Sequence, residues 1–343
     1  MQSIVGPTVD VIVANYNYEQ YVGETLDSLL AQTPSFNKII VVNDGSTDNS
    51  LEVLRQYEDR VSVLDIPNGG QLGAFIRGLA ESDADYVYFL DADDVAEPHL
   101  TQILFPLLQS NPVKVQFRLG SINADGVPTG GSFPAYPPNY TSADMQDDNL
   151  KLGYYITPPT SGNVFRTQYL RDLKLETFNS RDWIDQTPSL IAPYFGNVIS
   201  LNDVLARYRV HDSNVSQWGH PSLALLAKER DQFFRNWEDA CRCTDAPQNV
   251  TPQRTAFALE RDLMTSVLEG RRASLSTAVM FCRRILGSHM PTKLKIANCG
   301  WALLLCLTPG ETRKQLVFTK RSPTSRPKLV ERLFRPRSAR SAF

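Results

Sequence analysis

The chain has 343 residues, 42% of them hydrophobic, enough apolar surface for a large folded core, which sets aside an intrinsically disordered protein. Its net charge of -2 hides a gradient: residues 1–110 carry 4 Lys/Arg against 17 Asp/Glu, whereas residues 251–343 carry 18 against 5. The acidic first third excludes nucleic acid as a partner there, and the basic last third calls for an acidic surface or partner.

In chain order, Val9-Asp-Val-Ile-Val-Ala14 reads as a buried strand, and Val22, Leu26, Leu29 and Leu30 then recur at helical spacing. Lys38-Ile-Ile-Val-Val-Asn43 is a second strand, and the small oxygen-bearing residues of Asp44–Ser50 make a turn and cap the helix that follows. A short strand at Val61–Asp65, a turn at Pro67–Gly70 and a helix carrying Leu72, Phe75, Ile76 and Leu79 lead into Tyr86-Val-Tyr-Phe-Leu-Asp91. Strands alternating with helices predict a parallel, doubly wound α/β sheet.

The central strand ends in Asp91-Ala-Asp-Asp94. The carboxyl ends of such strands are where open α/β sheets bind ligands, and Asp91 and Asp93, two apart, project the same way if the extended backbone persists. Paired oxygen donors suit a hard divalent cation shared with a phosphate. Beyond residue 112 the pattern changes. Val113–Ile122 and the segment after Asn123-Ala-Asp-Gly126 predict an antiparallel hairpin, Val198–Leu201 and Arg207–His211 resume strand character, and past about residue 215 the patterning is helical.

Six stretches, taken in order, resemble the family 2 glycosyltransferases of the GT-A fold. They are Val11-Ile-Val-Ala-Asn-Tyr-Asn17, Ile40-Val-Val-Asn-Asp-Gly-Ser-Thr-Asp48, Asn68-Gly-Gly-Gln-Leu-Gly-Ala74, Phe89-Leu-Asp-Ala-Asp-Asp94, Pro159-Thr-Ser-Gly-Asn163 and Tyr208-Arg-Val-His-Asp-Ser-Asn214. The resemblance covers residues 9–215 and implies an inverting transferase. Such an enzyme moves a sugar from a nucleotide-diphosphate-sugar donor to a hydroxyl of a glycan, polysaccharide or lipid-linked acceptor, with Mn2+ or Mg2+.

Residue by residue, it implies donor contacts from Ala14, Asn15, Tyr16, Asp44, Gly70, Gln71, Asp91, Ala92 and Arg209. The metal falls to Asp93, with Asp91 and His211, and the acceptor side to Thr160, Ser161, Gly162 and Asn163. Inversion needs a base to take the acceptor proton. The family pattern offers Asp185, by its spacing to Ala192-Pro193, or Asp182, by its Asp-Trp pair, and Asp185 is favoured. Two departures stand out: Ala14 replaces a common Thr, and Ile76 a common Asn.

Other classes fit less well. After the first strand the chain reads Ala14-Asn-Tyr-Asn-Tyr-Glu19, without the glycines of a dinucleotide site. A dehalogenase-type phosphotransferase would carry its Asp-x-Asp early in the chain. A non-catalytic sugar-nucleotide binder of the same fold stays open as the alternative. The five cysteines form no zinc spacing and read as reduced thiols. The N-terminus lacks a signal-peptide pattern, which predicts a cytoplasmic site of action.

The expected domains are a catalytic unit over 1–215, a helical region over 216–312 and a basic, disordered tail over 313–343. Helices around 278–307 combine apolar faces with Arg and Lys, so a peripheral contact with an anionic membrane surface is expected through the basic C-terminus.

Overall fold

The computed structural model describes residues 6–178, 186–211, 221–244 and 250–321. These fall into two compact units. One lies within Met1–Leu150, Tyr154–His211 and Arg235–Asn249, the other within Lys151–Gly153, Asp212–Phe234 and Val250–Phe343.

The first unit begins as the sequence predicts, with β1 (Val9–Asn15), α1 (Val22–Leu30), β2 (Lys38–Asp44), α2 (Ser50–Arg55), β3 (Ser62–Ile66), α3 (Gly70–Ala80) and β4 (Tyr86–Asp91). A two-residue strand β5 (Val95–Ala96), α4 (Leu100–Leu108), and the hairpin β6 (Lys114–Asn123) and β7 (Pro128–Phe133) follow. Then come α5 (Ser142–Leu152), β8 (Asn163–Arg166), α6 (Thr167–Asp172), α7 (Thr187–Phe195) and β9 (Val198–Val210).

The strands form a single sheet in the order β3-β2-β1-β4-β8-β6-β9-β5, with β7 paired to β6. β1, β2, β3 and β4 are parallel, and β8 enters antiparallel between β4 and β6. The two stretches expected around 198–201 and 207–211 are one continuous strand, parallel to β6 along most of its length.

Side chains alternate across a strand, so each central strand feeds two cores. Val11 and Val13 of β1 join Tyr88 and Leu90 of β4 on one face, packed with Val22, Leu26 and Leu29 of α1 and Leu100 and Leu104 of α4. Ile12, Val87 and Phe89 join Leu72, Phe75 and Leu79 of α3 on the other. Burial on both faces explains why these strands read as unbroken apolar runs rather than as alternating ones.

In the second unit, α9 (Ala256–Leu268), α10 (Leu275–Leu286), α11 (Thr292–Leu307) and α12 (Gly310–Arg321) pack around Leu259, Leu263, Phe281, Trp301, Leu305, Leu316 and Val317. The remaining helix, α8 (Leu223–Cys243), starts in this unit and ends in the other.

The disordered tail expected from residue 313 needs correction, because α12 runs to Arg321. Leu316 and Val317 are buried in the core, and the Trp301 indole donates to the Leu316 carbonyl at 3.1 Å. No helix among the described residues is long and apolar enough to cross a membrane.

Candidate active site

Parallel register brings distant sequence to one place. Ala14 of β1 pairs with Asp91 of β4 and with Val42 of β2, and Asn15 pairs with Asn43, so these strand ends lie side by side. The expected donor residues Ala14, Asn15, Tyr16, Asp44, Gly70, Gln71 and Asp91 therefore gather at the carboxyl edge of three neighbouring strands and the turns that leave them.

Their environments differ. Asn15 is buried, and its amide donates to Asn43 Oδ1 at 3.2 Å and Ser46 Oγ at 3.1 Å, tying the ends of β1 and β2. Tyr16 is 46% exposed, and its ring is open to a flat ligand. Asp44 accepts the Gly69 N–H at 2.7 Å through Oδ1, while its carbonyl accepts the Asn68 amide at 3.0 Å. Gln71, in the first turn of α3, donates to Asp91 Oδ1 at 2.8 Å.

Between these contacts Gly45 sits at φ +68°, and a Cβ there would lie 2.7 Å from the Asn68 nitrogen. Gly45→Ala should cost about 1–2 kcal/mol from the left-handed backbone alone. A lower urea midpoint and weaker donor binding, the latter through displacement of Asn68 and Gly69, are the expected readouts.

At the end of β4, one oxygen each of Asp91, Asp93 and Asp94 lies within 4.8 Å of the others. Asp93 is 5% exposed and its Oδ2 stands 2.9 Å from His211 Nε2, which brings the two expected metal residues together. Tyr18 and Tyr21 flank the imidazole, with ring centroids 5.8 Å and 4.9 Å away.

Asp94 is fully buried, and its Oδ2 has no hydrogen-bond partner among the described residues. Burial, then the charges of Asp93 and Asp91, push its carboxyl well above the usual range. The Tyr18 phenol is also raised, by burial first and then by the three aspartates. A cluster of hard oxygen donors that repel one another, with an orphaned buried oxygen, fits a divalent cation.

Two groups of expected residues are buried in the protein, and Arg209 is the first. It is 1% exposed, its Nε donates to the Asp93 carbonyl at 2.8 Å, and its guanidinium also donates to the Ala124 carbonyl at 3.0 Å and to Glu24. Its backbone N–H donates to Asp94 Oδ1 at 2.8 Å, and its guanidinium lies over the Tyr21 ring. Within the protein Arg209 is an internal strut, with Nε and each terminal nitrogen donating to a protein oxygen.

Thr160, Ser161, Gly162 and Asn163 are likewise buried. Ser161 Oγ accepts the Asp91 N–H at 3.1 Å, and the Asn163 amide donates to the Pro159 carbonyl at 2.7 Å. They brace the carboxylate edge from behind. Ala92 is buried too, its carbonyl 2.8 Å from the Thr25 hydroxyl, which is equally close to the Asp94 carbonyl.

Glu24, Thr25, Tyr18 and Ser161 shape this edge without having been assigned such roles from sequence. Asp94 was visible in the motif, but its burial was not. Asp182 and Asp185 lie outside the described residues.

Residues 10–164 match the family described as Glycosyl transferase family 2. The uncharacterized glycosyltransferase alr2836 of Nostoc sp. is 34% identical over 234 residues, covering 65% of this chain and 70% of that protein. The chain is a family 2 glycosyltransferase.

The crystal structure of residues 1–349 of TarS from S. aureus superposes with a TM-score of 0.52 at 16% identity, covering 92% of this chain and 91% of that one. A second structure of the same TarS fragment, in complex with UDP-GlcNAc, gives a TM-score of 0.50 at 14% identity. At these identities the likeness carries the fold, and the glycosyltransferase shares the GT-A architecture that its motifs imply.

Proposed function

We propose that this glycosyltransferase moves a sugar, with inversion, from a nucleotide-diphosphate-sugar to a hydroxyl of a glycan or lipid-linked acceptor, and that a divalent cation assists it. The observation that carries the reading is the cluster of Asp91, Asp93 and Asp94 at the end of β4, beside the Asp44–Gly69 contact and the exposed Tyr16 ring. Support for the donor class comes from TarS, whose fragment was crystallised with UDP-GlcNAc and with UDP.

In this reading Tyr16 stacks on the base, Asp44 accepts from base or ribose, and Gln71 fixes Asp91 toward the ribose. Asp93, with Asp91 and His211, would hold Mn2+ or Mg2+, which neutralises charge on the departing diphosphate. Arg209 holds the Asp93 carbonyl and the Asp94 carboxylate in place. Asp185, or failing it Asp182, takes the acceptor proton as its oxygen attacks the face opposite the leaving group. The basic last third is proposed to meet an anionic membrane at its cytoplasmic face, where a lipid-linked acceptor would be found.

A thermal-shift screen of nucleotide-sugars with and without Mn2+ tests the donor assignment. A ligand at a hundred times its Kd stabilises the native state by about 2.7 kcal/mol, so the matching donor should raise Tm by several degrees when metal is present. Equal shifts with every nucleotide-sugar and with free nucleotide, or none with any, would count against the assignment.

A further inference from the structure

α10 and α11 are joined by a short turn and pack against one another, with Cys282 Sγ 3.9 Å from the Cys299 carbonyl and Cys299 Sγ 3.9 Å from the Cys282 carbonyl. Their inner faces, with Phe281, Ile285, Trp301 and Leu305, belong to the core of the second unit. The outer faces are apolar as well. Leu275, Val279, Cys282 and Leu286 form one stripe at helical spacing, and Ile296, Cys299, Leu303 and Leu307 form another. Leu275 is 59% exposed, Leu286 58%, Ile296 67% and Leu307 78%.

The cysteine contacts midway along the pair, and Lys295 Nζ donating to the Leu286 carbonyl at 3.1 Å beside the connecting turn, hold the two helices alongside one another. Scattered exposed leucines need no explanation, but a double stripe along two paired helices does.

Charge selects the occupant. From residue 270 to residue 310 the chain has six Lys/Arg and no Asp or Glu. Arg272, Arg283 and Lys293 are exposed, and Arg283 stands between Val279 and Leu286 on the apolar stripe itself. A helix pair with exposed leucines, basic residues on and beside the stripes and no acid between residues 270 and 310 matches an anionic bilayer, whose acyl boundary takes the leucines while its headgroups take the cations. A second copy of the same face would bring like charges together.

We propose that the outer face of the α10–α11 pair is the surface by which this protein docks on anionic membrane. The proposal rests on the membrane contact put forward above and narrows it from the whole basic last third to one folded face.

Co-sedimentation of the full chain with phosphatidylcholine vesicles, with and without phosphatidylglycerol, tests it. The chain should bind when phosphatidylglycerol is present and less so as salt rises. Replacing Leu275, Leu286, Ile296 and Leu307 together by Gln should weaken binding at least about tenfold, with Tm and donor binding unchanged, since all four face outward. Replacing Arg272, Arg283 and Lys293 by Gln should weaken it about a hundredfold, near fivefold for each cation.

In a third variant Arg326, Lys328, Arg332, Arg335, Arg337 and Arg340 become Gln in the full chain. If that variant loses binding while the four-Gln variant keeps it, the membrane reading stands and this assignment falls. No binding by the unaltered protein overturns both. A four-Gln variant that binds vesicles normally but turns a dimer into a monomer in sedimentation velocity makes the occupant a second copy and overturns the proposal.

Discussion

Asp93→Asn should lower sugar transfer by about a thousandfold, roughly 4 kcal/mol of transition-state stabilisation, without unfolding the protein. The amide keeps the size of the side chain but removes the charge that a cation would share with His211, 2.9 Å away. It should also ease the fold rather than strain it. The Asp93 charge is the next cause after burial that pushes up the buried Asp94 carboxyl, so removing it takes away a repulsion. The signature is a near-total loss of activity with an unchanged or higher Tm, and loss of the Mn2+-dependent part of the donor's thermal shift. Transfer at the parent rate, or parent activity undiminished in excess chelator, would remove the metal from the mechanism.

The second large effect is expected at the base. Asp185→Asn should reduce turnover by about 10²–10⁴ while leaving the donor's thermal shift intact, because the amide cannot accept the acceptor proton but nothing on the donor side changes. Measuring kcat for Asp185→Asn and Asp182→Asn side by side makes the choice. Full turnover in the first with loss in the second would transfer the role to Asp182. Loss of donor binding in either would mean that the residue shapes the donor pocket instead.

Much of the first unit was legible in the sequence because its signals are local. Unbroken apolar runs gave the buried strands, turns of Gly, Asn and Asp gave their ends, and the parallel order followed from alternation with helices. The strand-end carboxylates were legible for the same reason, since Asp91, Asp93 and Asp94 are close in both sequence and space.

Long-range pairing was not legible. Nothing in Arg209 itself says that its fork will be consumed by Asp93, Ala124 and Glu24, residues 116, 85 and 185 positions away. Nor does Thr160–Asn163 announce that it lies behind β4, because that depends on β8 entering antiparallel between β4 and β6. At α12, abundant Arg and Lys masked the Leu316-Val317 pair, and composition outweighed a short apolar contact that anchors the helix.

The Arg209 strut also bears on what counts as a working piece of this protein. The stretch that matches the family ends at residue 164, yet the only positive charge shown bonded to the backbone of the aspartate cluster, among the described residues, arrives with β9. Until that strand is added on the far side of β6, Asp94 has neither the backbone amide that it accepts from nor a cation against its neighbours. The carboxylate edge is therefore encoded early in the chain and completed late. During synthesis it stays an unfinished pocket for more than a hundred residues after Asp94 has been made, and a partial gene product carrying every early motif would still lack the part that holds them in register.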